Sequence, residues 1–488
     1  MSKAPFLMFP LALALSACTV GPDFMRPETP AAPTYSAKGD ASPPPDQHIS
    51  LGETIQGDWW AAFRSPSLDS VIRQAIADNR DVASAKARVA EAQEAVNSAE
   101  GARLPQVGLG ATVGRQKYGA ALFGPANFSI PPFTYYSVGP SVSFPLDLFG
   151  GRKRTVEEQA AYAEYQGYEL DAAYLSLTAN VAAQALTVAA THAQINAVEA
   201  IVEDDVQNVQ LVQRALGIGS ATQTQLLAAQ SQLATDRTLL PELQQQESTA
   251  RHALAILVGK APADWTPPDF TLDDFTLPAE IPASLPSELL HRRPTILAAE
   301  AQLHVASAAI GVATANLYPQ INLTGTFTQQ ALTPGGLFNS AAAAWGVAAN
   351  LTQPLFDGGQ LRAQRRAAID GYQASLASYQ QVILTAFGEV ADGLQALAND
   401  ADHFRAESEA ERTATAALDL ARRSYAVGNS GILDVIDAQR RLAQARLGLS
   451  RARAQRLIDT AQLFVALGGA PVRPADPITA NADGVTRR

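Results

Sequence analysis

Few residues of this chain are arranged for chemistry. The only cysteine, Cys18, closes the run Leu15-Ser16-Ala17-Cys18, behind Lys3 and an apolar stretch from Phe6 to Leu15. A charged start, a short apolar stretch and small residues before a cut read as a signal peptide, and the stretch is far short of the roughly 20 residues a spanning helix needs. Leu, Ser, Ala and Cys in this register read as a bacterial lipoprotein box, the alternative being an incidental free thiol. The thiol is expected to take a diacylglycerol, cleavage makes Cys18 the first residue, and an N-acyl chain completes the anchor. Thr19 rather than aspartate follows, which in such signals fits sorting to the outer membrane. A single cysteine excludes an intrachain disulfide. His48, His192, His252, His291, His304 and His403 show no ligand spacing, and the sequence holds no CxxC, no HExxH and no glycine-rich phosphate loop after a strand. Glu157-Glu158 and Asp204-Asp205 are expected on solvated helix faces. No catalytic residue, metal or enzyme activity is expected. Asp434 and Asp437 lie one helical turn apart, so both carboxylates can face one side. They fit either a charged site or acids favoured at a helix start by the macrodipole.

The elements that position these residues occur twice. Leu104-Pro105-Gln106-Val107-Gly108-Leu109 is matched by Tyr318-Pro319-Gln320-Ile321-Asn322-Leu323. Gly219 through Ala229-Gln230 to Gly259-Lys260-Ala261-Pro262 is matched by Gly428 through Ala438-Gln439 to Gly468-Gly469-Ala470-Pro471. Two copies are too few for a solenoid, so an internal duplication forming one pseudo-symmetric body is expected. In this correspondence Gln225 and Ala228 stand where the second copy has Asp434 and Asp437.

The expected organisation is a signal peptide at 1–17, a lipidated extended arm at 18–65, repeat 1 at 66–262, an equatorial linker at 263–285, repeat 2 at 286–471 and a tail at 472–488. The arm carries Pro22, Pro27, Pro30, Pro33 and Pro43 to Pro45. A formal net charge of −11 leaves no nucleic-acid footprint. Aromatic residues make up 7% while alanine is abundant, which suits close helix–helix approach. No run beyond residue 18 reaches 18 apolar residues, so no transmembrane helix is expected.

Four segments, about 106–117, 133–147, 320–331 and 343–356, alternate with period two. Val107, Leu109, Ala111 and Val113 oppose Gly108, Gly110, Thr112 and Gly114, and Trp345, Val347, Ala349 and Leu351 oppose Gly346, Ala348, Asn350 and Thr352. One greasy face and one small or polar face suit a lipid-facing barrel with a wet lumen, although a half-buried soluble sheet has the same alternation. Four strands cannot close a barrel, and an open edge in lipid leaves backbone groups unpaired at several kcal/mol each. Other subunits must therefore supply strands.

Between the strand pairs lie two helical hairpins, expected at 153–258 and 361–467. Residues 153–213 lack proline and place Leu170, Tyr174, Leu177, Val181, Ala185 and Val188 at steps of three and four. Such a helix spans roughly 90 Å at 1.5 Å per residue, and the spacing suits coiled-coil-like packing. Leu376, Val382, Ile383, Ala386, Val390, Leu394 and Leu397 do the same in the second copy. Gly217 and Gly219, then Gly428, give the expected C-terminal stops. Pro241 predicts a break in the first return helix, where the second copy has Ser450.

These residues resemble the outer-membrane efflux duct family, in its lipoprotein branch serving resistance–nodulation–division pumps. The resemblance runs from Cys18 to about Pro471. It is carried by Val20-Gly21-Pro22-Asp23-Phe24, Asp58-Trp59-Trp60-Ala61-Ala62-Phe63, the turns Phe149-Gly150-Gly151 and Phe356-Asp357-Gly358-Gly359, and above all Ser424-Tyr425-Ala426-Val427-Gly428 followed by Leu433-Asp434-Val435-Ile436-Asp437-Ala438-Gln439-Arg440. It implies an α+β membrane protein: a homotrimer with a twelve-strand transmembrane β-barrel, four strands per chain, continued by a long periplasmic α-helical coiled-coil barrel. The implied role is a passive outer-membrane exit duct for drugs or other small toxic compounds. An inner-membrane resistance–nodulation–division transporter supplies the work, and a periplasmic adaptor meets the hairpin tips at Gly217, Gly219, Val427 and Gly428. The resemblance places Asp434 and Asp437 at the narrowest, cation-favouring point of the tunnel. Family tips brace the closed state with a basic residue after the glycine; Ser430 and Gly431 stand there instead, so Tyr425 or Arg423 is expected to substitute. A duct for type I protein secretion has the same fold and stays an alternative. A purely structural lipid-anchored coiled coil would need no alternating strands.

Overall fold

The computed structural model describes residues 19–28, 34–35, 39–40, 46–53, 55, 57–118 and 131–469. Cys18, the remaining arm positions, the connection 119–130 and the C-terminal tail lie outside the described residues. Strand β1 (His48–Leu51) precedes helices α1 (Pro66–Asp78) and α2 (Arg80–Gly101). Strands β2 (Gln106–Gln116) and β3 (Phe133–Leu146) lead into α3 (Gly151–Gly217), α4 (Gln223–Arg237) and α5 (Leu239–Leu257). After β4 (Glu280–Ala283) and the short α6 (Pro286–Leu289), the order runs α7 (Pro294–Ala315), β5 (Gln320–Ala331), β6 (Ala343–Thr352), α8 (Gln360–Ala426) and α9 (Ile432–Ala466). Helices α3 and α8 are each 67 residues long, about 100 Å at the α-helical rise.

Two compact units emerge, and each draws on both halves of the sequence. Unit 1 gathers the described residues within 1–28, 88–166 and 299–379; unit 2 gathers those within 29–87, 167–298 and 380–488.

Unit 1 holds an antiparallel sheet in the order β2-β3-β5-β6. Its register aligns like with like: Val107 faces Val142, Phe144 faces Leu323, and Phe327 faces Trp345. Side chains alternate faces along each strand, so this register gathers the apolar residues on one face. That face is bare in the single chain, with Leu109 78% and Val347 80% exposed. The other face carries a short polar ladder, in which Asn322 donates to the Ser143 hydroxyl at 3.1 Å and Asn350 to the Thr324 hydroxyl at 3.4 Å. Strands β2 and β6 are the two edges. β6 ends at Thr352, short of the expected 356, because Pro354 has no N–H to give a ladder.

Aspartates start both long helices. Asp147 accepts from the amides of Arg152 (3.1 Å) and Lys153 (2.8 Å), and Asp357 from those of Gly359 and Leu361, both at 2.9 Å. These amides hold the Asp357 carboxyl below its usual range. Each acid satisfies donors that a helix start leaves unpaired.

Unit 2 builds its core around Trp59, Trp60 and Phe63, all buried. Trp59 stacks on Phe464 at 6.0 Å, and each indole N–H finds an oxygen: Trp59 donates to Thr178 at 3.3 Å and Trp60 to Asp69 at 2.9 Å. β1 and β4 pair in parallel, with His48 opposite Glu280. Every residue of the α3 series from Leu170 to Val188 that the spacing selected is buried. The return from α3 breaks between Arg237 and Leu239. Pro241 cannot donate to the Arg237 carbonyl, and the Thr238 amide turns instead to Asp236 and Thr235. α9 has no such break over its 35 residues.

By length and composition alone, α3 and α7 each contain a window apolar enough to cross a membrane. Alanine raises the mean hydropathy of both without making an unbroken apolar run. About half of each window (56% and 44%) is already covered by the chain's own packing.

Candidate functional site

Most of the sequence-selected residues lie at or just beside the two hairpin tips. At the first tip α3 stops on Gly219 (φ 77°), where the Gly219 amide donates to the Leu216 carbonyl (3.0 Å) and Ser220 to Ala215 (2.9 Å). At the second tip Gly428 (φ 78°) donates to Tyr425 (3.0 Å) and Asn429 to Ser424 (2.9 Å). Both are the paired closure that a left-handed glycine permits. They leave one bare apolar side chain on each tip, Ile218 at 83% and Val427 at 71% exposure.

Beneath the tips Val212 of α3, Leu226 and Ala229 of α4, Leu418 of α8, and Ile432, Val435, Ala438 and Leu442 of α9 form one apolar cluster. Steps of three and four on α9 turn these residues inward and leave Asp434 and Asp437 on its more open side. Asp434 accepts from the Gly431 amide at 2.9 Å. In the first hairpin Gln225 accepts from the Thr222 amide at 2.7 Å, with the Thr222 hydroxyl accepting in return from Gln225 N–H at 3.3 Å. Asp434 and Gln225 therefore do the same capping work, so helix capping is part of what Asp434 does.

Asp437 is held differently. Arg440 and Arg441 both reach it at 2.8 Å. Asp437 is thus already compensated within its own helix, a pairing the sequence reading did not include although Arg440 stood in its motif. Arg423 pairs with Asp419, one turn back on α8, and donates to its carbonyl at 3.3 Å. Tyr425 is 36% exposed. Within one chain, no ion pair or hydrogen bond joins Arg423 or Tyr425 to Asp434 or Asp437 among the described residues. Two polar atoms near this tip, Ser430 Oγ and Gln439 Oε1, are buried without a hydrogen-bond partner.

Asp205 corrects an expectation. It is 8% exposed rather than solvated, and burial, followed by the neighbouring Asp236, pushes its carboxyl up to about 7. Asp400 of α8 is likewise pushed up to about 7 by burial and by Asp459 of α9. Adjacent residues on a helix point about 100° apart, so of a doublet such as Asp204-Asp205 one member turns inward. Glu157-Glu158 is not fully solvated either, since both members are half-buried: Glu157 pairs with Arg154 at 2.7 Å, and burial raises the Glu158 carboxyl. Among the described residues no cluster of His, Cys, Asp or Glu is arranged to hold a metal ion.

Residues 71–260 and 285–469 match the family described as Outer membrane efflux protein. The Pyoverdine export outer membrane protein OpmQ of Pseudomonas aeruginosa is 31% identical over 442 residues, which cover 88% of this chain and 92% of that protein. The Cation efflux system protein CusC of Escherichia coli K12 is 29% identical over 481 residues, covering 96% of this chain and 100% of that one. Among solved structures, the outer-membrane channel OprN superposes with a TM-score of 0.84 at 28% identity, covering 93% of this chain and 99% of the other.

Proposed function

The chain belongs to the outer membrane efflux protein family, and from that premise we propose that it works as a homotrimeric, lipid-anchored exit duct. It is an outer-membrane channel component of an efflux pump. The observation that carries the trimeric reading is the sheet: four strands, two unpaired edges and an apolar face open along its length. In lipid those edges must be paired. Three copies joined β6 to β2 give a closed twelve-strand barrel, the apolar face turned to lipid and the Ser143–Asn322 ladder to the lumen.

The duct does no chemistry. Its polar, small-residue lumen passes solutes without a tight site, and an inner-membrane resistance–nodulation–division transporter supplies the work. A periplasmic adaptor docks on the tips at Gly217, Gly219, Val427 and Gly428. The bare Ile218 and Val427 suit an apolar partner surface, and the orphaned Ser430 and Gln439 atoms suit groups completed by a neighbour. The cargo class is drugs or other small toxic compounds. The secretion-duct alternative gains nothing from the relatives, which are named for pyoverdine export and cation efflux.

Analytical ultracentrifugation in detergent is expected to give a trimer; a monodisperse monomer contradicts the strand-closure argument. A deletion strain is expected to gain sensitivity to a subset of antibiotics or toxic compounds and to recover with the wild-type chain. An unchanged profile across a broad panel removes the efflux assignment of cargo. Cys18 is the proposed lipid attachment. Several acyl chains anchor stably where one does not, yet the barrel itself also holds the membrane. Cys18→Ser is therefore expected to abolish palmitate labelling while leaving some trimer in the membrane, and mass spectrometry of an unmodified Cys18 in the mature protein removes the anchor.

A further inference from the structure

The run Val20-Gly21-Pro22-Asp23-Phe24 has no place in the duct mechanism, yet it makes some of the most specific contacts in unit 1. The Val20 amide donates to the Phe149 carbonyl at 3.1 Å, and Thr19 lies against Gly150, where an added Cβ would come within 2.8 Å of the threonine methyl. Arg154, on the first turn of α3, is 3% exposed and spends its guanidinium on this segment. It donates to the carbonyls of Val20 (3.2 Å) and Gly21 (3.3 Å) and to Asp23 Oδ1 (2.7 Å), with Glu157 at 2.7 Å closing the fork.

The opposite wall is α7. Gly21, at φ +92°, passes so close to Gly311 that a Cβ on Gly21 would stand 2.5 Å from the Gly311 Cα. A Cβ on Gly311 would stand 2.7 Å from the Arg154 side chain. Two glycines therefore make room for one buried arginine between two helices. Further along, Phe24 stacks on His304 with centroids 4.4 Å apart, His304 Nε2 lies 3.2 Å from Glu157, and Arg26 pairs with Glu300 at 2.7 Å. A buried guanidinium needs its full set of acceptors, so the segment is part of what makes Arg154 tolerable there.

We infer that residues 19–26 are an intramolecular docking peptide whose receptor is Arg154, Gly311 and His304, and that this docking fixes the place at which a lipid on Cys18 meets the membrane. The second half rests on the proposed lipidation; the first does not. Thr19 is covalently next to Cys18 and sits at the Phe149–Gly151 corner, where β3 gives way to α3. The anchor is thereby tied to the periplasmic end of the proposed barrel.

The test uses the full-length protein solubilised from outer membranes in mild detergent, which opens the periplasmic side to protease, with chymotrypsin cleavage after Phe24 followed by mass spectrometry and palmitate labelling of the same cells measured in parallel. Cleavage tracks the population in which the segment is undocked. Arg154→Gln, His304→Ala and Gly311→Ala are each expected to raise the cleavage rate, by about tenfold or more for the first, since it removes a buried charged contact. Alanine is a better helix former than glycine, so an effect of Gly311→Ala reports docking and not loss of α7. His304 lies near the surface, which keeps that variant informative if Arg154→Gln does not fold. Wild-type rates in Gly311→Ala and His304→Ala overturn the docking. Absence of palmitate on wild-type Cys18, with the rates still raised in the variants, overturns the lipid placement alone.

Discussion

Planar-bilayer recordings of a variant carrying both Asp434→Ala and Asp437→Ala are expected to show the channel's cation preference lost, and at low salt reversed. An acidic ring at a constriction favours cations, and the proposed threefold assembly would turn each aspartate into such a ring. The tip geometry adds a second reason. Asp437 compensates Arg440 and Arg441, so removing it uncovers two positive charges in every chain as well as deleting a negative one. A unit charge about 7 Å from a passing ion in water is worth about 0.6 kcal/mol, and threefold repetition makes a several-fold change in permeability ratio the expectation even with screening. The single variants separate the roles. Asp437→Ala is expected to move selectivity more, whereas Asp434→Ala, which removes the cap on the Gly431 amide, is expected mainly to loosen the first turn of α9. Tyr425→Ala is expected to raise resting conductance if that ring braces the closed tip across subunits. Wild-type cation preference and divalent-cation block in the double variant refute the gate assignment.

The sequence was most legible where one period rules a long stretch. Leu170, Tyr174, Leu177, Val181, Ala185 and Val188 fall on one face of α3 because helix geometry leaves no alternative, and all six are buried. Gly219 and Gly428 stop their helices through a backbone conformation that other residues resist. Alternation in the strands carried the register, since apolar partners such as Val107 and Val142 meet only if the face assignment is right. What stayed hidden depends on contacts remote in sequence. Gln47 donates to Thr460, and His48 to Leu51 pair with Glu280 to Ala283; no local pattern announces either. The division into two units is hidden for the same reason, as each unit takes segments from both halves of the sequence and the residues of each long helix are shared between the two. Asp205 shows the limit most clearly. Its neighbour Asp204 makes the pair look like a solvated doublet, and only the approach of α4 reveals which of the two is inside. The Arg440–Asp437–Arg441 cluster was visible in principle, because charges three and four apart on a helix meet.

Thermal unfolding of the full-length trimer is expected to be easier at pH 8 than at pH 5.5, and replacing Asp205 and Asp400 with asparagine is expected to remove most of that difference. Each acid is pushed up to about 7, first by burial and then by a facing carboxylate, Asp236 for Asp205 and Asp459 for Asp400. The pairs are built alike. Gln232 donates to Asp236 at 2.8 Å and Gln455 to Asp459 at 2.9 Å, which leaves Asp205 and Asp400 as the members that carry the proton. Their surroundings differ: Asp204 adds a like charge near the first pair, whereas Arg456, itself paired with Asp46 at 2.6 Å, works against the shift in the second. One carboxyl oxygen of each of Asp205 and Asp400 has no hydrogen-bond partner. An aspartate raised in the folded state binds more protons there than in the unfolded chain, whose ordinary value is 3.8. Stability from this source therefore falls as pH rises from about 4 through about 7, with little further change above. Because Asp236 and Asp459 keep some exposure, the expected loss is on the order of 1–2 kcal/mol per pair, well below a fully buried limit. Asparagine keeps a donor for the facing aspartate and never ionises, so the double variant is expected to match the wild type at pH 5.5 and to exceed it at pH 8. The first pair lies beside the break at Thr238, so hydrogen exchange in 223–257 is expected to quicken at pH 8, after correction for intrinsic rates, in the wild type alone. An unchanged pH slope in the double variant shows that these carboxyls stay charged, or solvated, throughout that range.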